Sequence, residues 1–159
     1  MSLLENVMLG AYARTASGYF AGAFGLDVAD EARVRAIALQ RLQEVGLGDK
    51  PFELAGNLPL GQQRVLEIAR ALAADPVVIM LDEPAAGLRS QEKQALARLL
   101  SELRGKGMTI VLVEHDMEFL MGLADRIVVL NFGRQLAEGT PAQIRADKNV
   151  QDAYLGAGA

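Results

Sequence analysis

The sequence predicts an α/β fold, a mostly parallel sheet preceded by an α-helical region, and three observations carry that expectation. Short apolar runs at Val77 to Leu81, Thr109 to Val113 and Ile127 to Leu130 have strand length without alternation, as expected of strands buried on both faces. Segments with apolar residues at helical spacing separate these runs, which is the order of a layered α/β domain. Before about Asn57 the chain reads instead as helices and loops.

The elements follow in order. Ser2 and Glu5 have the spacing of a capping box, and Leu4, Val7, Met8 and Ala11 recur at helical intervals, so a helix opens almost at the first residue. Ser17 to Gly25 holds glycines interleaved with Tyr19, Phe20 and Phe24 and reads as a loop whose rings either tuck into the core or meet a partner. Asp30 is placed to cap a helix reaching about Val45, with Val34, Ala38, Leu42 and Val45 on one face and Gly46 as its stop. Gly61 to Ala74 is the next helix, with Val65, Ile68, Ala69 and Leu72 inward and Pro76 beyond its end. Ser90 caps a helix striped by Leu96, Leu99, Leu100 and Leu103 and ended by Gly105 and Gly107. Gln135 to Glu138 adds a short strand, and two short helices follow from Pro141. The expected organisation is a helical subdomain over 1–56, the larger α/β part over 57–140 and a helical tail over 141–159.

Composition narrows the chemistry. The 159 residues are 51% hydrophobic and 23% charged, enough to build a core without staples. Sixteen basic against twenty acidic side chains leave a net charge of -4, which gives no electrostatic footprint for a nucleic-acid backbone. There is no cysteine, so disulfides, thiolate metal sites and cysteine nucleophiles are excluded, and a single histidine excludes a multi-histidine zinc site. The weakly polar stretch Ala16 to Leu26 is far shorter than the roughly 20 apolar residues of a membrane span. The N-terminus lacks the basic start and apolar core of a secretory signal, so the expected compartment is the cytoplasm.

Three stretches carry chemistry. The run Val77 to Leu81 delivers Asp82 and Glu83 at the C-terminal end of a strand, where open α/β sheets bind ligands. In nucleotide hydrolases an acid so placed holds magnesium, and a second carboxylate orients the attacking water. Upstream, Leu58-Pro59-Leu60-Gly61-Gln62 enters a helix whose start presents free backbone N–H groups and a positive dipole end, which suits a phosphate. Downstream, the strand ending at Val113 is followed by Glu114-His115-Asp116, which aims the single histidine at the same sheet edge. Alone, an Asp-Glu pair is an ordinary turn and a lone histidine is ordinary structure; the order of the three is what stands out.

With these residues the chain resembles the ATP-binding subunits of ABC transporters. The resemblance rests on the signature-like Leu58 to Gln62, a Walker B strand Val78 to Asp82 with Glu83, a D-loop-like Ala85-Ala86-Gly87-Leu88-Arg89, and His115 as switch histidine. Within that family Leu4 to Gly10, Gly61 to Arg64, Pro84 to Leu88 and Tyr154-Leu155-Gly156 are similar to the branch that energises branched-chain amino-acid importers. The resemblance implies part of a P-loop NTPase (RecA-like) core with ATP and magnesium as cofactors. It implies that Asp82 binds magnesium through water, that Glu83 and His115 are catalytic, and that His115 contacts the γ-phosphate. It also implies that Leu58, Pro59, Leu60, Gly61 and Gln62 cover ATP held by the opposite subunit, with Gly87, Leu88 and Arg89 forming the D-loop. The implied partners are a second ATP-binding subunit and transmembrane permease subunits, placing the protein on the inner face of the plasma membrane, with no nucleic acid involved. The permease would be met by the helical region before about Ala55.

The pattern also departs from the family. A phosphate-binding loop needs Gly-x-x-x-x-Gly-Lys-Ser/Thr, and the only Gly-Lys dipeptide is Gly105-Lys106, so this chain carries no Walker A motif; the family's glutamine loop is missing too. The expectation is a chain that begins partway through the domain and neither holds nor hydrolyses ATP by itself. Pro59 stands where the signature commonly has serine, Leu60 where it has glycine, and Arg89 where the D-loop has aspartate. Without the strand leading into Walker A, the strands near Val113 and Ile127 lose a neighbour, which predicts exposed edges and a marginal monomer. Other readings are a non-catalytic fragment that pairs with an intact subunit or permease and the head of a chromosome-maintenance ATPase. The heptads such a head requires are not sustained here. Ser90-Gln91-Glu92-Lys93 fits the Ser-x-x-Lys of a serine hydrolase, but the companion motifs are lacking.

Overall fold

The structure, a computed structural model, is described for residues 1–12 and 28–154. The aromatic and glycine-rich segment Ser17 to Gly25 and the closing Leu155-Gly156 lie outside the described residues. Two compact units divide the chain, Met1–Val113 and Glu114–Ala159.

In the first unit, helix α1 (Leu3–Tyr12) opens on the expected capping box: Ser2 N–H donates to Glu5 Oε2 at 2.7 Å and Glu5 N–H donates to Ser2 Oγ at 3.2 Å. The backbone N–H of Ser2 and its hydroxyl hold the Glu5 carboxyl below its ordinary range. A carboxylate with a lowered folded-state value supports the fold above its unfolded value and loses that support as pH falls through the lowered one. The α1 cap is therefore expected to loosen below the normal glutamate range. Amide exchange at Ser2 and Glu5 checks this, and Glu5→Gln should flatten the dependence.

Helix α2 (Val28–Glu44) begins two residues before Asp30, so Asp30 lies in its first turn, where a carboxylate favours the positive end of the helix dipole, and not at its cap. Gly46, at φ +77°, ends the segment as expected. Helix α3 runs Leu60–Ala73. Leu3, Leu4, Val7 and Ala11 of α1, Val34, Ala38 and Leu42 of α2, and Leu66, Ala69 and Ala73 of α3 form one buried cluster. These positions repeat every three or four residues, so each helix presents a single stripe to the other two. Gly10 sits where α1 crosses α3: a Cβ there would lie 2.0 Å from the carbonyl oxygen of Arg70.

Strand β1 (Val78–Asp82) pairs in parallel with strand β2 (Thr109–Val113), Val78 opposite Thr109 through Asp82 opposite Val113, with helix α4 (Ser90–Gly105) between them in the chain. The expectation of burial on both faces is corrected. Ile79 is buried, whereas Met80 is 76% exposed and Val78, Val111 and Val113 are also exposed. The side chains alternate across the pleat, so one face of this two-stranded ribbon is apolar and bare.

The second unit holds helix α5 (Met117–Leu123) and a hairpin of strands β3 (Ile127–Asn131) and β4 (Arg134–Gly139). Phe132 and Gly133, both at positive φ, make its two-residue turn. The hairpin is antiparallel, and each unit holds one hydrogen-bonded pair of strands, parallel in the first and antiparallel in the second, within the α/β arrangement of strands and helices that the sequence predicts. Helices α6 (Pro141–Ala146) and α7 (Lys148–Tyr154) follow as expected, α6 opened by a Thr140–Gln143 capping box with proline at its start.

Candidate functional site

Parallel pairing of β1 and β2 brings the C-terminal ends of both strands to one edge. Asp82 is the last residue of β1, opposite Val113. Glu83 then leaves the strand with φ +45°, a left-handed conformation uncommon for a residue with a side chain, while its N–H donates to the carbonyl of Val113 at 2.9 Å. Backbone strain of this kind gathers at functional sites. Both carboxylates are exposed, whereas the following Pro84, Ala85 and Leu88 are buried and anchor the turn. Gly87 continues it at φ +75°, a conformation glycine adopts without steric cost.

The signature-like segment is fixed from several sides. Leu58 is buried, and its carbonyl accepts from Gln63 Nε2 at 2.8 Å. Pro59 stands at the N-cap position of α3, where its missing N–H is no loss. Lys50 Nζ donates to Gln62 Oε1 at 2.6 Å. The expectation of free N–H groups here is corrected. The Gln62 N–H closes on the Pro59 carbonyl at 2.9 Å, and the Gly61 N–H donates to Glu92 Oε1 at 3.3 Å. A second glutamate oxygen, Oε2, accepts from the Arg89 N–H at 2.9 Å.

Glu92 is thus a residue the sequence reading missed. Its signal was available: it stands three residues after Arg89, the capping-box spacing. Arg89, not Ser90, takes the N-cap position of α4, and Ser90 begins the helix. Gly105 and Lys106 lie at the C-terminal end of α4, where the dipole is negative and unsuited to phosphate.

The signature-like and D-loop-like segments are in contact: Gly87 packs on Leu60, with a Cβ at Gly87 falling 3.2 Å from Leu60 Cδ2. His115 belongs to the second unit, exposed in the short link between β2 and α5, where Asp116 caps α5 by accepting from the Phe119 N–H at 3.0 Å. Among the described residues no group of three or more His, Cys, Asp or Glu is placed to hold a metal ion. Asp82 has the hard oxygen donors magnesium takes, but one carboxylate leaves most of an octahedral shell to water and other groups. Among the described residues no helix is long and apolar enough to cross a membrane.

Comparison with known proteins gives the family. The family described as "ABC transporter" matches residues 2–86, and "Branched-chain amino acid ATP-binding cassette transporter" matches residues 134–159. The high-affinity branched-chain amino acid transport ATP-binding protein LivG of Escherichia coli (strain K12) is 43% identical over 161 residues, an alignment covering 98% of this chain and 62% of LivG. BraF of Pseudomonas aeruginosa, which carries the same description, is 41% identical, with 98% and 62% covered. The solved structure of the ADP conformation of MJ1267, an ATP-binding cassette of an ABC transporter, superposes with a TM-score of 0.82 at 28% identity, covering 98% of this chain and 63% of that one. The chain thus spans less than two thirds of the length of these relatives. It belongs to the ABC transporter family, as part of an ATP-binding domain with the P-loop NTPase fold and a C-terminal segment of the branched-chain amino acid type.

Proposed function

We propose that this chain supplies the signature, Walker B, D-loop and switch-histidine parts of an ATP-hydrolysing subunit that energises an importer of branched-chain or related amino acids. The observation that supports it most is the strand β1 ending in Asp82 and Glu83 at a sheet edge, with the chain turned sharply at Glu83. ATP supplies the free energy and magnesium the charge neutralisation when both are bound. Asp82 would hold the magnesium through water, Glu83 would polarise the attacking water, and His115 would contact the γ-phosphate. Leu58 to Gln62 close over nucleotide on an opposite subunit, with Gly87 to Arg89 beside them. The subunit works as a pair beneath transmembrane permease subunits, on the cytoplasmic face of the membrane.

The 159-residue chain offers no phosphate-binding lysine loop. By itself it is therefore expected to show no micromolar affinity for magnesium ATP in calorimetry. Continued at its N-terminus by the Walker A segment of a relative such as LivG, it is expected to hydrolyse ATP. Micromolar binding by the chain alone would refute the first expectation, and a folded but inactive chimera the second. A non-catalytic pairing fragment would give that second result.

A further inference from the structure

We propose that Glu92 is a positioning residue that ties the signature segment to the D-loop through its two carboxylate oxygens. One oxygen accepts from Gly61 N–H at 3.3 Å and the other from Arg89 N–H at 2.9 Å. The two amides are 28 positions apart in sequence (89 minus 61) and belong to different turns. Glu92 stands in the first turn of α4, whose N-cap is Arg89, so its hold on Arg89 is the helix's own capping contact and its hold on Gly61 reaches a separate segment.

Two further contacts make the tie specific. A Cβ at position 61 would lie 2.9 Å from Glu92 Oε1 and 3.1 Å from both Cβ and Cγ, so only glycine lets the Glu92 stem approach this closely. Beside it, Gly87 packs on Leu60, which joins the same two segments a second time through apolar contact. Hydrogen bonds from backbone N–H to an ionised carboxylate are stronger than neutral ones, and a carboxylate's two oxygens can take two such donors from two directions.

The consequence is coupled motion. An anion that approaches Gly61 N–H competes with Glu92 Oε1, and displacing it disturbs the other oxygen's hold on Arg89. A shift of the D-loop turn is passed back to the start of α3 by the same route. The catalytic meaning of this coupling rests on the ATPase-subunit reading above, whereas the contact itself does not.

Amide exchange followed by NMR on the 159-residue chain tests the tie without nucleotide, so its failure is separate from failure of that reading. Glu92→Ala is expected to speed exchange at both Gly61 and Arg89 by about one to two orders of magnitude, the loss of a charge-assisted bond. Glu92→Gln keeps the shape but presents one oxygen and one NH2 group, so it should protect only one of the two amides. Amides of Leu66 to Ala73 serve as the control for an intact α3. A residue that merely caps α4 would leave Gly61 unchanged in every variant. That result, or full protection of both amides in Glu92→Gln, overturns the proposal. If Glu92→Ala does not fold, the isosteric Glu92→Gln decides alone.

Discussion

Alanine at position 10 is expected to destabilise the protein by about 3 kcal/mol, the upper end of the cost of overpacking. Helix propensity alone points the other way, since glycine inside a helix costs about 1 kcal/mol relative to alanine. The steric term decides the sign. The added methyl carbon would sit 2.0 Å from the Arg70 carbonyl oxygen, and a backbone atom of α3 cannot swing aside as a side chain does. Helices α1 and α3 would have to separate, which loosens the contacts of Val7, Ala11, Leu66 and Ala69 together. Urea unfolding of wild type and Gly10→Ala checks this. An unchanged or raised midpoint would show that the crossing is not as close as described.

In an ATP-hydrolysing form of the protein, Glu83→Gln is expected to lower turnover by about two to four orders of magnitude, the usual contribution of a positioned general base. Nucleotide binding should survive, because the amide keeps the side chain's size and the backbone turn at φ +45° is set by the N–H bond to Val113 and the buried Pro84 and Ala85. The pattern of binding without hydrolysis separates this role from a structural one: a residue needed only for the turn would lose both. Rapid-quench turnover and equilibrium nucleotide binding on the same preparation make the distinction.

Much of the local structure was legible in the sequence because it is set by neighbours in the chain. The Ser2–Glu5 capping box, the Gly46 stop, the strand Thr109–Val113 and the two C-terminal helices all follow from residues a few positions apart. What was not legible depends on residues far apart. Glycine at position 10 looks like a mild helix weakness until the Arg70 carbonyl is beside it. Glu92 looks like a helix-start acid until Gly61 approaches from another segment. A run such as Val77 to Leu81 records that its surroundings are apolar, but not which of its faces this chain covers.

For the candidate site, residue order singled out Asp82, Glu83 and the Leu58 to Gln62 segment as candidates. It did not show that the N–H groups of Gly61 and Gln62 are already engaged. Free donors at a helix start are a general property of helices, whereas their satisfaction here by Glu92 and the Pro59 carbonyl is a property of this packing.

The uncovered face of the β1–β2 ribbon has a thermal consequence. Val78, Met80, Val111 and Val113 leave apolar surface open to water on an otherwise packed unit. Covering such a patch is driven near room temperature by entropy, and the drive weakens on cooling. Any association through this face therefore loosens in the cold and tightens in sulfate, whereas an association held by surface ion pairs is weakened by the same salt through screening.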